Sequence, residues 1–545
     1  MRPLPKLTPD NEFFWTSGAD GVLRLQYCEE CDRYLHPSAA ICPQGAGVPT
    51  VREVSGRATV VGFTVNYQPW LQDMEIPYII GLVAIEEDPM VRLTTLIVDA
   101  DPADVAIGLQ VEVRFEQHQD VWLPVFAPTG DPRSEQVEYP EPALAPVRPM
   151  PTAEKFESRV AITGVGMSEV GRRLGRHPMS LALDACREAV ADAGLTMADI
   201  DGLSTYPGGG GMDNGFSEGG IYPIANALEI APTWFCGTAE TPGQSGSVVN
   251  AMLAVASGLC RHVLCFRTVW ETTAIAWGNR ENSGVGGAAR VSGEMEWRLP
   301  YGAMSAGNWI ALMASHYFHR YGATREQLGW VPVTQRAGAA HNPVAVYQEP
   351  MTIDDYLDAR MITTPFGLFD CDVPCDGATA LVVSAVESAY DGPHRPVLVE
   401  AVGTQVRERV SWDQGTLLHE PMVAGPATQL WSRTDLKPTD VDVALLYDGF
   451  SFNALSWLEG LGFCAKGEGA AFVEGGHRIA RDGEIPLNPH GGQLSAGRLH
   501  GYGFLHEAVI QLRGHGGGRQ VGGAEVAVVS AGGGHPGGAL LFVKG

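Results

Sequence analysis

The pattern of apolar and polar residues changes partway along the chain. Before residue 124, the two classes alternate in short runs such as RATVVGFTVNY, YIIGLVAIEE, VRLTTLIVDA and VEVRFEQ, with turn-forming residues between them. Alternation with a period of two is typical of strands that are buried on one face. Residues 51–128 are therefore predicted to form a small β-barrel.

From residue 158 onward, strand-like runs alternate with helical ones. VAITGVG precedes SLALDACREAVADAGL, in which apolar residues recur at helical spacing. A second glycine-centred strand begins at Val397, and both strands lead through a helical stretch to an acidic segment, ADIDGL or TDVDVALLYD. This long repeat predicts an α/β domain over residues 158–545, built from duplicated halves of about 158–395 and 396–545.

A proline-rich stretch separates the two regions. Residues 124–151 contain eight prolines and show no hydrophobic period. Such a composition favours an extended linker, which we assign to residues 129–157. Residues 1–50 precede the barrel as a helical and cysteine-bearing segment.

Composition narrows the classes of function. The chain has 545 residues, 45% of them hydrophobic and 18% charged, which is typical of a soluble globular protein with two or three domains. A net charge of −26 argues against nucleic acid and anionic membranes as partners. No apolar run is long enough for a transmembrane helix, and the N-terminus has no signal-peptide core, so a cytoplasmic location is expected.

Three of the ten cysteines have the spacing of a metal-binding ribbon. Cys28 and Cys31 form one knuckle, Cys42 begins a second, and Gly45 stands where the fourth thiolate would be. A structural zinc ion needs four ligands. Two alternatives stay open: a zinc site completed by a fourth ligand such as His36, or a ribbon that folds without metal.

Residues 10–128 resemble a known family of rubredoxin-like zinc ribbons joined to OB-fold barrels. The resemblance rests on FFW, GVLRLQYCEEC, the CP turn and the barrel strands. That family accompanies acyl-CoA enzymes, and here its enzyme partner is fused to it. The resemblance implies that the barrel packs on the α/β domain and shapes the substrate entrance. Deletion of residues 1–128 is then expected to abolish turnover without unfolding the rest.

Residues 158–545 resemble the thiolase superfamily, and most closely its sterol-carrier and lipid-transfer branch. The matching segments follow in order: VAITGVG, HYFHRYG, HNPVA, FDCDVPCDGATALV, LLYDGFSF, NPHGGQLSAG and SAGGGHPGG. The resemblance implies a thiolase fold of two βαβαβαββ halves in αβαβα layers, a homodimer, and a cleft for an acyl-CoA thioester.

The chemistry of a thiolase is not preserved. Its nucleophilic cysteine lies at the N-terminus of a buried helix, where the pKa of the thiol is lowered. Spacing puts that position near Thr241, and no cysteine lies between residues 237 and 259; Cys236 is predicted to belong to the core. Ser530 replaces the second thiolase cysteine and Arg498 replaces the catalytic histidine. The scaffold is therefore expected to hold an acyl-CoA without forming an acyl-cysteine.

A retro-aldol reaction needs no covalent nucleophile. It needs a base for the β-hydroxyl proton and donors that stabilise the enolate. The resemblance to lipid-transfer-type aldolases of steroid side-chain degradation implies this reaction on a β-hydroxyacyl-CoA, with propionyl-CoA or acetyl-CoA as a product. It assigns the base to the tyrosine of a Y-D-x-F motif, which Tyr447 and Asp448 match. The catalytic candidates are Tyr447, Asp448, His500 and Arg498.

A second tyrosine of that family is replaced in this chain. Arg498 occupies its expected position, and Tyr502 is four residues out of register. His500 is predicted to take over, because an imidazole can donate to an enolate oxygen and exchange protons near neutral pH. The candidates for substrate binding are His490, His535, Ser530 and Arg290.

The segment 277–298 is a candidate for contacts with the CoA phosphates. It is rich in glycine and contains three arginines, namely Arg280, Arg290 and Arg298. Such a segment is typical of a loop over phosphates, and a flexible surface loop is the alternative.

The composition argues against two other aldolase mechanisms. A Schiff-base aldolase needs a desolvated lysine, and none of the five lysines lies in an apolar strand. A metal aldolase needs clustered ligands, which the scattered histidines do not provide. The chemistry is therefore expected to need no cofactor, with CoA as part of the substrate; zinc is expected as a structural ion only if the ribbon binds metal. An acyl-CoA hydratase that supplies the β-hydroxyacyl-CoA is an expected partner. The alternatives are a non-catalytic acyl-CoA or lipid carrier and a Claisen thiolase with an atypical nucleophile.

Overall fold

The structure, a computed structural model, describes residues 2–45, 47–71, 74–134, 143–150, 154–211, 214–237, 243–278, 290–419, 422–532 and 537–545. The N-terminal region contains helix α1 (Glu12–Trp15) and the strands β1 (Leu4–Pro5), β2 (Arg24–Cys28), β3 (Arg33–Leu35), β4 (Thr50–Glu53), β5 (Arg57–Asn66), β6 (Tyr78–Ile85), β7 (Arg92–Ile97), β8 (Gln110–His118) and β9 (Val121–Pro128).

Five of these strands close into a barrel. β5, β6, β7, β9 and β8 are neighbours in that order, and β8 pairs back to β5. Strands β5 and β6 are almost wholly buried, as expected for strands between a barrel interior and a second packed surface. The OB-fold predicted from the sequence is thus confirmed. The ribbon is a separate sheet in which β2 pairs with β3 and β4, so it extends to residue 53, past the boundary predicted at residue 50.

The remaining strands are β10 (Val160–Met167), β11 (Gly202–Thr205), β12 (Trp234–Cys236), β13 (His262–Trp270), β14 (Arg290–Val291), β15 (Met361–Thr363), β16 (Phe366–Gly367), β17 (Asp376–Ala385), β18 (Val397–Gly403), β19 (Val443–Leu445), β20 (Val526–Ala531) and β21 (Gly538–Lys544). The helices are α2 (Pro178–Asp192), α3 (Ile221–Leu228), α4 (Gly246–Ala256), α5 (Glu271–Ala276), α6 (Ala306–Tyr321), α7 (Arg325–Ala339), α8 (Ile353–Asp358), α9 (Ala424–Trp431), α10 (Ser451–Gly460), α11 (Gly469–Val473), α12 (Gly492–Ser495) and α13 (Tyr502–Arg513).

The α/β domain is duplicated, as the sequence repeat predicts. The first half has the strand order β12-β11-β13-β17-β10, and the second half has β19-β20-β21-β18. In the first half, β11 is parallel to β13, and β13 is antiparallel to β17. In the second half, β19 is parallel to β20, and β20 is antiparallel to β21. Antiparallel pairing of β10 with β18 joins the halves.

Helices cover the sheets on both faces. α2 packs outside the first half and α9 outside the second, while α13 contacts strands of both halves and lies between them. This layering of helix, sheet, helix, sheet and helix confirms the thiolase-like fold. No helix in the described ranges is both long and apolar enough to cross a membrane.

The barrel makes close contact with helix α6 and strand β15. Gly62 on β5 lies so near α6 that a Cβ at this position would be 2.6 Å from the carbonyl oxygen of Leu312. The hydroxyl groups of Thr64 on β5 and Thr363 on β15 are 2.6 Å apart. A strand of the α/β domain therefore extends the barrel sheet.

Buried side chains of the two domains form one continuous core. Val60 and Leu82 of the barrel belong to the same cluster as Leu312 of α6 and Phe452 of α10. A chain without residues 1–128 would expose this apolar surface to water, and we therefore expect it to be unstable. The expectation that the rest stays folded after such a deletion does not agree with the structure.

Candidate active site

A cavity of about 740 Å³ lies where the barrel meets the α/β domain. Both domains contribute to its wall, which contains acidic, basic, aromatic and aliphatic side chains. The residues that carry its chemistry or close its sides are Gln68 and Trp70 of the barrel, Glu271, Ile310, Phe369, Cys371, Asp372, Tyr447, Phe450, Arg498 and His500.

Tyr447 lies in this cavity directly after strand β19. Its backbone N–H donates to Ser530 Oγ at 2.9 Å, and its ring packs edge-on against Phe504. A Cβ built at Gly449 would be 2.8 Å from the Tyr447 ring, so glycine is required for this turn to fold back on the tyrosine. Burial raises the pKa of Tyr447 above its usual value of 10, with Asp372 acting in the same direction. The side chain is therefore a neutral phenol at neutral pH.

Asp448, the second residue of the motif and a predicted catalytic residue, contacts the glycine loop 488–503. Its carboxylate lies outside the cavity wall and accepts hydrogen bonds from the Gln493 backbone N–H at 2.9 Å and from Asn488 Nδ2 at 3.1 Å. Burial raises the pKa of Asp448 to about 7, although the bond from Gln493 lowers it. Asp448 thus holds the glycine loop 488–503 against the Tyr447 turn.

The glycine loop needs its glycines for steric reasons. Gly492 has a φ of +58°, and a Cβ there would lie 1.9 Å from Asp448 Oδ2. Gly497 has a φ of +128° and packs against Cys375. The loop lines the cavity with Leu494, Arg498 and His500.

Arg498 is a buried cation between two carboxylates. Its Nη1 is 3.1 Å from Asp372 Oδ1, and its Nη2 bonds Glu271 Oε2. Only 20% of the Arg498 side chain is exposed, with 14% for Glu271 and 9% for Asp372. Burial raises the pKa of Asp372 to about 7, while Arg498 acts in the opposite direction.

His500 is held in one tautomer. Its Nδ1 is 3.1 Å from Arg267 Nη2, and because a guanidinium can only donate, Nδ1 must accept and Nε2 must carry the proton. The ring stacks on Phe216 at 4.9 Å. Burial lowers the pKa of His500 well below 6.5, and Arg267 and Arg498 act in the same direction. A neutral N–H donor therefore lines the cavity.

The structure brings together three of the four predicted catalytic residues, and it adds two that the sequence did not indicate. Tyr447, Arg498 and His500 line the cavity with Glu271 and Asp372. Glu271 is the first residue of α5 and directly follows β13. Asp372 lies in the segment FDCDVP, between β16 and β17. Two features of the sequence could have indicated Asp372. It lies in FDCDVPCDGATALV, a segment that matches the thiolase superfamily, and Arg498 needs a carboxylate as its partner.

Three of the four residues predicted to bind substrate, His490, Ser530 and Arg290, are not part of the cavity wall. Ser530 contacts the Tyr447 backbone, and His490 lines a separate small cavity beneath the loop, where burial lowers the pKa of its imidazole to about 3. Arg290 donates to the Pro5 carbonyl and to Asp120 of the barrel, so it is not a free phosphate ligand. His535 lies outside the described residues.

Arg290 and Arg298, the described arginines of segment 277–298, do not line the cavity. Arg298 is 3% exposed, lies 3.9 Å from Asp413 and has its guanidinium over the ring of Trp309. Arg280 lies outside the described residues. Arg172 and Arg360 line the cavity instead, and both are exposed.

The cysteines near the cavity are poor nucleophiles. Cys371 lines the wall, and burial together with Asp370 and Asp372 raises the pKa of its thiol well above 9. Cys236 is half-buried on the edge strand β12 rather than in the core, and it is not part of the cavity wall. Thr241, where spacing puts the thiolase nucleophile, lies outside the described residues.

The three ribbon cysteines converge. The sulfur atoms of Cys28, Cys31 and Cys42 all lie within 4.8 Å of one another, and Cys31 and Cys42 are 3.7 Å apart. Two thiolates on a tetrahedral zinc ion with bonds of about 2.3 Å would be about 3.8 Å apart, so this geometry fits zinc. His36 is not in this group: it packs against the rings of Phe14 and Trp297.

The fold defines a class of protein: a thiolase-fold domain joined to an OB-fold barrel, with a cavity at their junction. Family models agree, since "Thiolase C-terminal domain-like" matches residues 408–543 and "ChsH2, C-terminal OB-fold domain" matches residues 51–116. The solved structure "Ltp2-ChsH2(DUF35) aldolase" superposes with a TM-score of 0.62 at 32% identity, covering 71% of this chain and 98% of that one.

Two relatives of known activity identify the family within the thiolase superfamily. A "Steroid side-chain-cleaving aldolase" from Thermomonospora curvata is 35% identical over 65% of this chain and 90% of the relative. A "17-hydroxy-3-oxo-4-pregnene-20-carboxyl-CoA lyase" from Mycobacterium tuberculosis is 34% identical over 71% of this chain and 100% of the relative. The chain belongs to the family of steroid side-chain-cleaving aldolases, which are carbon–carbon lyases of the thiolase superfamily.

Proposed function

We propose that this protein cleaves a β-hydroxyacyl-CoA by a retro-aldol reaction, giving a ketone or aldehyde and propionyl-CoA or acetyl-CoA. The observation that carries the proposal is the cavity in which a neutral tyrosine, a neutral histidine and a buried arginine meet. These groups can move a proton and stabilise an enolate, and the cysteine beside them has a thiol whose pKa is raised.

As its own phenolic proton passes to a neighbouring carboxylate, Tyr447 Oη receives the proton of the substrate's β-hydroxyl group. As that proton leaves, the bond between the α- and β-carbons breaks, the β-carbon becomes the carbonyl of the ketone or aldehyde, and the electron pair passes to the thioester enolate. Protonation of the α-carbon then gives the short acyl-CoA. A positioned acid–base group of this kind contributes about 10²–10⁴ in rate.

His500 and Arg498 stabilise the enolate. The Nε2–H of His500 is the donor that its bond to Arg267 leaves for the substrate. Because the imidazole is neutral and its Nδ1 accepts, its N–H is fixed at Nε2 and can donate to the enolate oxygen. Arg498 adds a fixed positive charge at the same wall of the cavity.

The substrate is proposed to be a steroid side-chain CoA thioester. The names of the two relatives point to this class. The cavity of about 740 Å³ has the size of a site for a large ligand, and Trp70, Ile310 and Phe450 give it apolar surface. Exposed Arg172 and Arg360 at the wall are suited to an anionic CoA chain.

Tyr447→Phe tests the base. It removes the hydroxyl group but keeps the ring and its packing against Phe504. With a steroidal β-hydroxyacyl-CoA, the variant should lower kcat by about 10²–10⁴, with folding and KM nearly unchanged. Chromatographic measurement of the ketone and the short acyl-CoA checks this. The matched control is Tyr502→Phe, because Tyr502 bonds Ser247 and is not part of the cavity wall.

The Claisen and carrier alternatives predict different outcomes. An acyl adduct on Cys236 or Cys371, found by mass spectrometry after incubation with an acyl-CoA, would support a covalent thiolase. Tight binding of the β-hydroxyacyl-CoA without any product would support a carrier. Either result would overturn the retro-aldol proposal.

The assembly is proposed from the same family resemblance. We infer that the protein is a homodimer and receives its β-hydroxyacyl-CoA from an acyl-CoA hydratase. Light scattering on the purified protein should give twice the chain mass of 58.2 kDa. A monomer at all concentrations would contradict the dimer.

A further inference from the structure

The buried cluster of Arg498, Glu271 and Asp372 in the cavity wall contains one more carboxylate than its cation can neutralise. Arg498 bonds both Glu271 and Asp372, so the three side chains carry a formal charge of −1 when both acids are ionised. A surplus negative charge in a buried site is unfavourable, and binding of one proton removes it. The group is therefore ready to accept a proton.

Asp372 is the acid of this group that lies beside Tyr447. Its backbone N–H donates to the Gly449 carbonyl oxygen at 3.0 Å, and Cys371 forms a β-bridge with Phe450. The Tyr447 hydroxyl lies over the same glycine, since a Cβ built on Gly449 would be 3.1 Å from Tyr447 Oη. Segment 371–372 thus runs along the turn that positions the phenol.

The position of Asp372 is fixed on three sides. The Val373 N–H donates to the Gln493 carbonyl at 2.9 Å, and the Arg498 N–H donates to the Val373 carbonyl at 2.8 Å. The carboxylate itself is held by Arg498 Nη1. The acid is therefore held at the cavity wall that Tyr447 also lines.

We propose that Asp372 is the proton acceptor behind Tyr447 and that Glu271 balances the charge of Arg498. The β-hydroxyl proton passes to Tyr447 Oη as the phenolic proton passes to Asp372, and the carbon–carbon bond breaks to give the ketone and the enolate. The proton returns from Asp372 through Tyr447 to the α-carbon. The step is redox-neutral, needs no co-reactant, and leaves both side chains as they began. It rests on the retro-aldol function proposed above.

A relay explains how a tyrosine with a raised pKa can act as a base. A phenol that is buried and beside a carboxylate does not ionise at neutral pH. If its proton leaves at the moment the substrate's proton arrives, no phenolate is formed. Asp372 is a positioning and relay residue in this scheme, and Tyr447 is the group that touches the reacting atoms.

The sign of the pH dependence follows from this role. Asp372 must be ionised to accept a proton, so activity should be present above its pKa, which burial raises to about 7, and should fall as the pH drops through that value. The charged or titratable groups packed around it are Arg498, Glu271, Tyr447, Asp448, Cys371 and Cys375. The cysteines stay protonated because burial raises the pKa of both thiols.

Three variants of the full chain separate the two carboxylates. Asp372→Asn should lower kcat by about 10²–10⁴ and leave KM nearly unchanged. It should also remove the acid limb, which is the fall of kcat at low pH in the plot of kcat against pH. Asp372→Glu should restore part of kcat together with the limb. Glu271→Gln should keep the limb and move it to lower pH, because Arg498 then acts on Asp372 alone.

Each outcome decides between the proposals. The relay is overturned if Asp372→Asn has the kcat of the wild-type protein or keeps the acid limb unchanged. If Tyr447→Phe is inactive at the same time, the retro-aldol function stands without the relay. A fall in kcat for Asp372→Asn with no rescue in Asp372→Glu and a lost circular-dichroism signal would assign a purely structural role and also overturn the relay. If the wild-type protein forms no short acyl-CoA at any pH, both proposals fail.

Discussion

Arg498 shows at the scale of a single residue how a site can change its chemistry. It stands where the thiolase resemblance expects a histidine, and it contacts two carboxylates that would otherwise repel each other inside the protein. Its guanidinium cannot exchange protons near neutral pH. The position has therefore become a source of fixed charge, and proton transfer falls to its neighbours.

Arg498→Met should destabilise the protein strongly. The variant leaves Glu271 and Asp372 buried without a cation, and breaking a buried ion pair in this way costs about 3–5 kcal/mol. The free energy of unfolding in urea measures the loss. Addition of Glu271→Gln and Asp372→Asn to the variant should recover much of the stability but none of the activity. A fully stable single variant would show that the two acids are already neutral.

Part of the site could be predicted from the sequence, and part could not. Tyr447, Arg498 and His500 were found because linear motifs mark them, and all three line the cavity. Asp448 was marked by the same motif, but its carboxylate bonds the glycine loop, because a motif gives the order of residues and not the direction of a side chain. Its catalytic role stays a prediction. Glu271 was missed because it meets Arg498 across 227 residues of chain, which only the tertiary fold brings together.

The glycine loop 488–503 is the element on which the site depends most. Its backbone is in the left-handed region at several positions, and the Asp448 carboxylate accepts a hydrogen bond from the backbone N–H of Gln493 in the loop. The loop consequently depends on its glycines and on Asp448 for the conformation that supports the site.

Gly492→Ala should damage both stability and activity. The added methyl group would be in a left-handed conformation and within contact of Asp448 Oδ2. Strain of this kind costs about 1–3 kcal/mol, and the shifted loop would displace Arg498 and His500. Thermal unfolding and kcat are the measurements. Gly522→Ala is the control, since a Cβ there has no atom within 4 Å; equal effects of the two variants would refute the steric account.

The ribbon offers a second test at the scale of an element. A Cβ at Gly45 would lie 3.0 Å from Cys31 Sγ, on the side where a fourth ligand is needed. Gly45→Cys should therefore raise the bound zinc to about one ion per chain, because four thiolates complete the tetrahedral site. Elemental analysis of the purified protein measures this. Gly47→Cys is the control, since a Cβ there meets Glu30 and none of the three cysteines. An unchanged zinc content in Gly45→Cys would contradict the geometry.

Element types were easier to predict than element boundaries. Strand alternation and helical spacing identified the barrel and the duplicated halves, because those patterns are local. The pairing of β15 with β5 and of β1 with β14 was not foreseen, since nothing local in a two- or three-residue strand indicates its partner.

At the scale of the whole molecule, the barrel is part of the active site. Gln68 and Trp70 line the cavity, Trp70 Nε1 donates to Asn66 Oδ1 at 3.1 Å, and Arg360 donates to Gln68 at 3.0 Å. The two domains therefore define the space for the substrate jointly.

Trp70→Ala should weaken binding of a bulky substrate more than it slows the chemistry. Loss of this apolar wall is expected to raise KM for a steroidal acyl-CoA about tenfold, which corresponds to ~1.4 kcal/mol, with a small change in kcat. Steady-state kinetics with long and short acyl chains provide the comparison. Tyr67→Ala is the control, because Tyr67 is in the same loop, is 39% exposed and is not part of the wall. A similar rise in KM for both variants would exclude a specific role for Trp70.

The seam between Thr64 and Thr363 has a consequence for how the protein is made. These hydroxyls are 2.6 Å apart but are separated by 299 residues, so the barrel leaves the ribosome long before the strand that completes its sheet. Closure of a loop of this length costs about 5 kcal/mol in chain entropy on the logarithmic scale. Until then the apolar side of β5 faces water, and the nascent chain is exposed to aggregation for most of its synthesis. The rate of translation through the linker and the first α/β half should therefore influence how much active protein a cell obtains.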